Sequence, residues 1–151
     1  MALSKTYDIL CLNNFGNASL VFYRYTNGLG LEYGWTETAS ASSSVGLVAG
    51  DSSRFIIHLL GSGGADVYLN DYPSGFNFAY TISGCSMMHG AIYDSYLAVG
   101  CSNSTVMIFR LFDSSSSKTQ ELNEHASSLS SMDMNLDFLV VGASSDVVEI
   151  Y

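Results

Sequence analysis

The sequence predicts an all-β chain built from a repeated unit of about four strands. Short runs rich in Val, Ile, Tyr and Phe recur between clusters of Gly, Ser, Asn and Asp, the pattern of strands separated by turns. Helix-period patterns of adequate length are hard to find. A hairpin pattern of Gly, five residues, Val, any residue and then Ile or Leu is written at Gly61/Val67/Leu69, Gly100/Val106/Ile108 and Gly142/Val148/Ile150.

In chain order, the clearest strands are expected at Ile9 to Leu12, Leu20 to Tyr25, Arg54 to Leu60, Val67 to Leu69, Tyr96 to Val99, Val106 to Phe112, Phe138 to Val141 and Val147 to Tyr151. Weaker runs at Leu31 to Trp35, Val45 to Ala49, Phe76 to Ile82, Met87 to Ile92 and Leu129 to Met134 fill the intervals. The serine-rich stretches Ala39 to Ser44 and Asp113 to Lys118 read as flexible loops. In the repeated hairpin an apolar strand ends at a glycine, a polar turn reverses the chain, and a second strand sets alternate apolar residues on one face.

The valines of the pattern recur at spacings of 39 and 42 residues. A fourth, degraded copy lies upstream between Tyr7 and Tyr23, with Asn14 in place of the glycine. One such hairpin cannot bury its apolar face alone, and radial stacking lets each sheet cover its neighbour, so a period near forty points to β-propeller blades. The expected organisation is a single domain over 1–151 with approximate repeats 1–36, 37–82, 83–123 and 124–151. A β-trefoil is the alternative fold for this length, although it has three repeats.

The last repeat, from His125 to Tyr151, resembles the WD40 family. His125 matches the His of the family's Gly-His pair, Leu129, Met132 and Met134 the apolar positions of the innermost strand, and Asp137 the turn aspartate. Tyr151 stands where the family has the Trp of its Trp-Asp signature, and Phe109 does so one repeat earlier. Asp94 to Phe109 matches the second half of the same pattern. No Trp-Asp dipeptide occurs and Glu124 replaces the Gly before His125, so the resemblance is to a divergent WD40-like repeat. It implies a non-catalytic scaffold for protein–protein interaction. The pattern begins and ends within a blade, without an inner strand before Tyr7 or an outer strand after Tyr151. An incomplete ring is therefore expected, completed by a protein partner, a second copy or the missing remainder of a longer protein.

Composition narrows the function. With 14 Asp+Glu against 5 Lys+Arg, the surface would repel a phosphate backbone and gain little from anionic lipid, so neither nucleic acid nor a membrane is an expected partner. The N-terminus lacks the charged start, apolar block and cleavage site of a secretory signal, which leads to a cytoplasmic expectation. Cys11, Cys85 and Cys101 are widely spaced and form no Cys-x-x-Cys pair, so buried free thiols in a reducing compartment are expected.

No catalytic, cofactor or metal site is expected. His58, His89 and His125 are dispersed, there is no Gly-x-Ser-x-Gly elbow, and Gly61 to Gly64 lacks the Lys and helix of a phosphate loop. Asn17 and Asn103 head N-glycosylation sequons, whose residues are also those that turns prefer. Ten Tyr, eight Phe and one Trp exceed what loops need, and aromatic side chains near turns make good anchors for proteins or sugars. Tyr33, Trp35, Tyr72 and Phe76 are the candidate partner-binding residues, for a protein ligand or, in the alternative of a propeller or trefoil lectin, a glycan.

Overall fold

The computed structural model describes residues 2–4, 9–14, 19–26, 30–38, 44–49, 54–60, 63–71, 75–123, 128–144 and 147–151, with side chains described for 54–60, 63–69, 77–123, 128–144 and 147–151. Among these, fifteen strands form four antiparallel sheets. The first contains β1 (Ala2–Ser4), β2 (Ile9–Asn14), β3 (Ser19–Thr26) and β4 (Gly30–Thr38). The second contains β5 (Ser44–Ala49), β6 (Phe55–Leu60), β7 (Gly64–Asp71) and β8 (Gly75–Ser83). The third contains β9 (Met87–Tyr93), β10 (Tyr96–Cys101), β11 (Val106–Leu111) and β12 (Ser116–Leu122). The fourth has three described strands, β13 (Leu129–Met134), β14 (Leu139–Ala143) and β15 (Val148–Ile150).

Each sheet is an up-and-down meander, with its strands in sequence order. The first strands of successive sheets pack on one another, β1 against β5, β5 against β9 and β9 against β13. This is the blade arrangement of a propeller, with the ring left open. Alternation along the strands fills the junctions. Between the second and third sheets, Phe55, Ile57, Leu59, Ala65, Val67 and Ile82 share one buried cluster with Met87, Ile92, Leu97, Val99, Phe109 and Leu111. Between the third and fourth, Ala98 and Val106 are buried with Leu129, Leu139 and Val141.

Two strands depart from the sequence expectation. Ala2–Ser4 pairs with β2, so an inner strand does precede Tyr7. Ser116–Leu122, whose first residues read as a loop, pairs with β11 as the outermost strand of its sheet. Its residues are exposed or only partly covered, so it carries no apolar alternation to reveal it.

Register also differs from the sequence spacing. The innermost strand pair carries the same irregularity in three sheets, opposite Leu59 and Leu60, Gly100 and Cys101, and Gly142 and Ala143. Leu59 thus occupies the place of Gly100 and Gly142, and Ala65 and Val67 occupy those of Val106 and Ile108. The Gly61 copy of the hairpin is displaced by two positions. A slip of two residues keeps every side chain on its own face, so the inward alternation was legible although the register was not. Gly64, at the start of β7, has no room for a side chain: a Cβ there would collide with the Ile82 carbonyl oxygen of the paired strand.

A polar row crosses the second sheet. His58 faces Asp66 in the β6–β7 pairing, both fully buried, and Thr81 Oγ1 donates to Asp66 Oδ1 at 2.7 Å. Burial lowers the His58 pKa from its ordinary 6.5, against the opposing pull of the Asp66 carboxylate. The folded protein resists protonation that the unfolded chain accepts. The stability from neutral His58 is therefore present above about pH 6.5 and lost as pH falls towards the lowered value, by at most about 1.4 kcal/mol per pH unit. Urea unfolding at pH 7.5 and 5.5 is expected to show this loss and His58→Gln to diminish it; equal loss in both proteins would exclude His58 as the source.

Candidate docking surface

One end of the third and fourth sheets is built from three turns. Asp94–Ser95 joins β9 to β10, residues 112–115 join β11 to β12, and residues 135–138 join β13 to β14. The first is a two-residue reversal between paired Tyr93 and Tyr96, with Asp94 at φ 50°. Aspartate tolerates that left-handed conformation better than most side chains. In the third turn the Asn135 N–H donates to the Phe138 carbonyl at 3.0 Å, and Asn135 Oδ1 accepts from the Asp137 and Phe138 N–H groups at 2.9 and 2.8 Å. Asn135 supplies the side chain that closes this turn, and it holds Leu136 at the tip, 77% exposed.

The first and third of these turns border a cavity of about 290 Å³ lined by Tyr93, Asp94, Tyr96, Ile108, Met134, Asn135 and Leu136. It opens where the junction between the third and fourth sheets reaches the surface. Tyr96, Phe112, Leu136 and Phe138 are all more than 40% exposed there. The Arg110 guanidinium lies 6.0 Å from the Tyr96 ring centroid and 5.4 Å from that of Phe112, so a cation stands among the aromatic rings.

The middle turn is fastened to the second sheet. Arg54 donates to Asp113 Oδ2 at 2.6 Å, and the Tyr80 hydroxyl donates to the Phe112 carbonyl at 2.9 Å. The ion pair is exposed and contributes little stability on its own, but together the contacts fix where Phe112 is presented. Asn135→Ala removes two turn hydrogen bonds and is expected to cost about 1 kcal/mol in denaturant unfolding. No measurable change would mean that the backbone alone closes the turn.

At the opposite end, Cys85 and Cys101 form a disulfide, with Cα atoms 5.7 Å apart. This corrects the expectation of free thiols for that pair and removes the support they lent to a reducing compartment. The bridge ties the connection before β9 to the end of β10, beside the hydrogen bond from the Ser102 N–H to the Ser86 carbonyl at 2.9 Å. Their separation of 16 residues matches no redox or zinc spacing, so only the approach of the two chain segments reveals the pair.

The residues singled out from sequence fall elsewhere. Tyr33 and Trp35 lie within β4, opposite Tyr23 and Phe22 across a register irregularity. By backbone register Tyr33 occupies the place that Phe78 holds in the second sheet. Phe76 pairs opposite Asn70 in β8. Tyr72 and His125 lie outside the described residues. Asn103 sits in the β10–β11 turn, where its Oδ1 accepts from the Thr105 N–H at 3.3 Å; Asn17 lies outside the described residues. Sequence reasoning missed the Tyr93, Tyr96 and Leu136 cluster, whose only signal was aromatic and apolar residues flanking two turns one period apart.

The fold is that of a divergent WD40-like β-propeller. No protein-family model and no curated protein matches the sequence. Among solved structures, 99% of the chain superposes on 52% of the Cps50 (Swd1) β-propeller domain from Myceliophteria thermophila, at TM-score 0.77 and 13% identity. The same share covers 43% of Sqt1 from Saccharomyces cerevisiae, at TM-score 0.77 and 12% identity. It also covers 46% of a chain of the mitotic checkpoint complex, at TM-score 0.78 and 13% identity. The chain thus spans about half the length of these three chains, and at these identities the likeness is one of fold.

Proposed function

We propose that this chain is a non-catalytic protein–protein interaction scaffold that captures a partner on the Tyr96, Phe112, Leu136 and Phe138 surface and works within a larger or oligomeric assembly. The observation that carries this reading is the set of exposed apolar side chains at and beside the cavity, with the Arg110 guanidinium among them, in a chain of formal net charge −9. Aromatic and Arg side chains at a partly enclosed pocket are the usual anchors of binding energy. The occurrence of a similar fold in the mitotic checkpoint complex supports a protein partner.

Leu136→Asp together with Phe138→Ser is expected to weaken capture of a purified partner at least about 100-fold while leaving the β circular dichroism unchanged. Undiminished capture would move the binding site away from this end. Tyr33, Trp35, Tyr72 and Phe76 remain proposed anchors, and their alanine variants in the same assay test them.

A second reading, a carbohydrate-binding lectin, is favoured by Tyr93 and Tyr96 standing beside Asp94 and Asn135 in one cavity, since sugars need both ring faces and polar groups. A glycan array separates the readings: repeated binding to one sugar class supports the lectin, and none leaves the protein scaffold.

A further inference from the structure

We propose that Asn103 is an N-glycosylation site, and that the chain accordingly folds in an oxidising, glycan-transferring compartment rather than in the cytoplasm. The sequon Asn103-Ser104-Thr105 fills the turn between β10 and β11. Turns also favour asparagine and serine, but this turn does not need them where they stand. Its left-handed position is Ser104, at φ 65°, where an asparagine would relieve strain, and Asn103 stands one residue earlier. Asn103 Oδ1 accepts from the Thr105 N–H at a long 3.3 Å.

The fourth sheet closes the corresponding turn without a sequon. There the Ala143 N–H donates to the Val147 carbonyl at 2.9 Å and the Ser144 N–H to the Ser128 carbonyl at 2.8 Å. In the third sheet the Cys101 N–H donates in the same way to the Thr105 carbonyl at 2.8 Å, and the Ser102 N–H to the Ser86 carbonyl at 2.9 Å. Val147 thus stands in the place of Thr105, and the turn forms without a hydroxyl there. The hydroxyl that the acceptor pattern requires is written where the fold has no need of it.

The chemistry suits the exposed side of the turn. Asn103 is exposed, and with Oδ1 turned to the Thr105 N–H, its Nδ2 is left for another bond. The donor is an oligosaccharide whose anomeric carbon carries a diphosphate leaving group. The bond from Nδ2 to that carbon forms as the carbon–oxygen bond breaks; the diphosphate leaves with the electron pair, and a base of the transferase takes one amide proton. Thr105 is 7% exposed in the finished sheet, so transfer precedes the pairing of β11. The bulky polar product then lies on a surface turn, at the end of β10 opposite the Tyr96 surface, and leaves that surface open.

A different pair of residues points to the same compartment. The Cys85–Cys101 disulfide ends two residues before Asn103, and such bridges persist in oxidising compartments and are rare in the cytosol. A second sequon, Asn17-Ala18-Ser19, falls between β2 and β3, with Ser19 directly before Leu20 as Thr105 is directly before Val106.

Protein isolated from its natural source tests the proposal. Peptide N-glycosidase in heavy-oxygen water is expected to convert Asn103 to labelled aspartate, and the peptide map to show Cys85 bridged to Cys101. Unmodified Asn103 in that protein overturns the proposal, as do free thiols at both cysteines. Secreted behind a leader from a glycosylating host, the chain should lose the mass of one glycan on Asn103→Gln and equally on Thr105→Val, with the bridge still formed. Asn103→Gln keeps the comparison if Thr105→Val disturbs the sheet. A glycan mass undiminished by Asn103→Gln places the sugar on another residue and overturns the assignment.

Discussion

Leu97→Ala is expected to destabilise the protein by about 3 kcal/mol and to lower its melting temperature by roughly 6–12 °C. Leu97 is fully buried in β10, paired between Ile92 of β9 and Phe109 of β11, and belongs to the cluster that joins the second and third sheets. The surrounding side chains come from two separate sheets, so closing the void requires the blades themselves to approach. Partial collapse of that kind puts the cost in the middle of the range for a buried Leu→Ala change rather than at its floor. The effect should extend beyond one blade, because each sheet is supported only by its neighbours. Thermal and denaturant unfolding measure it, and a loss below about 1 kcal/mol would show that this junction carries little packing energy.

Cys85→Ala with Cys101→Ala is expected to cost a similar amount, about 3 kcal/mol for a loop of this length. The unfolded chain gains the freedom that the bridge removed, while the folded sheet keeps its ladder from β9 to β12. A reductant should destabilise the wild-type protein by the same amount and leave the double-alanine variant unaffected. Equal sensitivity in both proteins would place the effect elsewhere. Alanine suits the test because Cys101 is 2% exposed, and a serine there would bury an added hydroxyl.

Legibility varied with the local force at work. Strands with one or both faces in a junction, such as Phe55–Leu60 and Val106–Leu111, display their apolar residues and could be read directly. Ser116–Leu122 could not, since an outermost strand is held by ladder hydrogen bonds that any sequence can make. The repeated hairpin revealed blades, yet its second copy misled by two positions because Gly61 stands two residues past Leu59, which holds the structural place of Gly100 and Gly142, and alternation is blind to a slip of two. At the docking end, Tyr93, Tyr96 and Leu136 are ordinary turn-flanking residues in the sequence. They become a surface only because the turns of two neighbouring sheets are brought to one cavity.

By itself the sequence determined the all-β character, the blade-like repeat and the acidic surface. These follow from periodicity and composition, which act over a few residues or over the whole chain at once. Only the tertiary structure decided the register of the second sheet, the Cys85–Cys101 bridge and the union of two turns around one cavity. Each of these depends on how distant segments meet, and that is set by the packing of one sheet on the next.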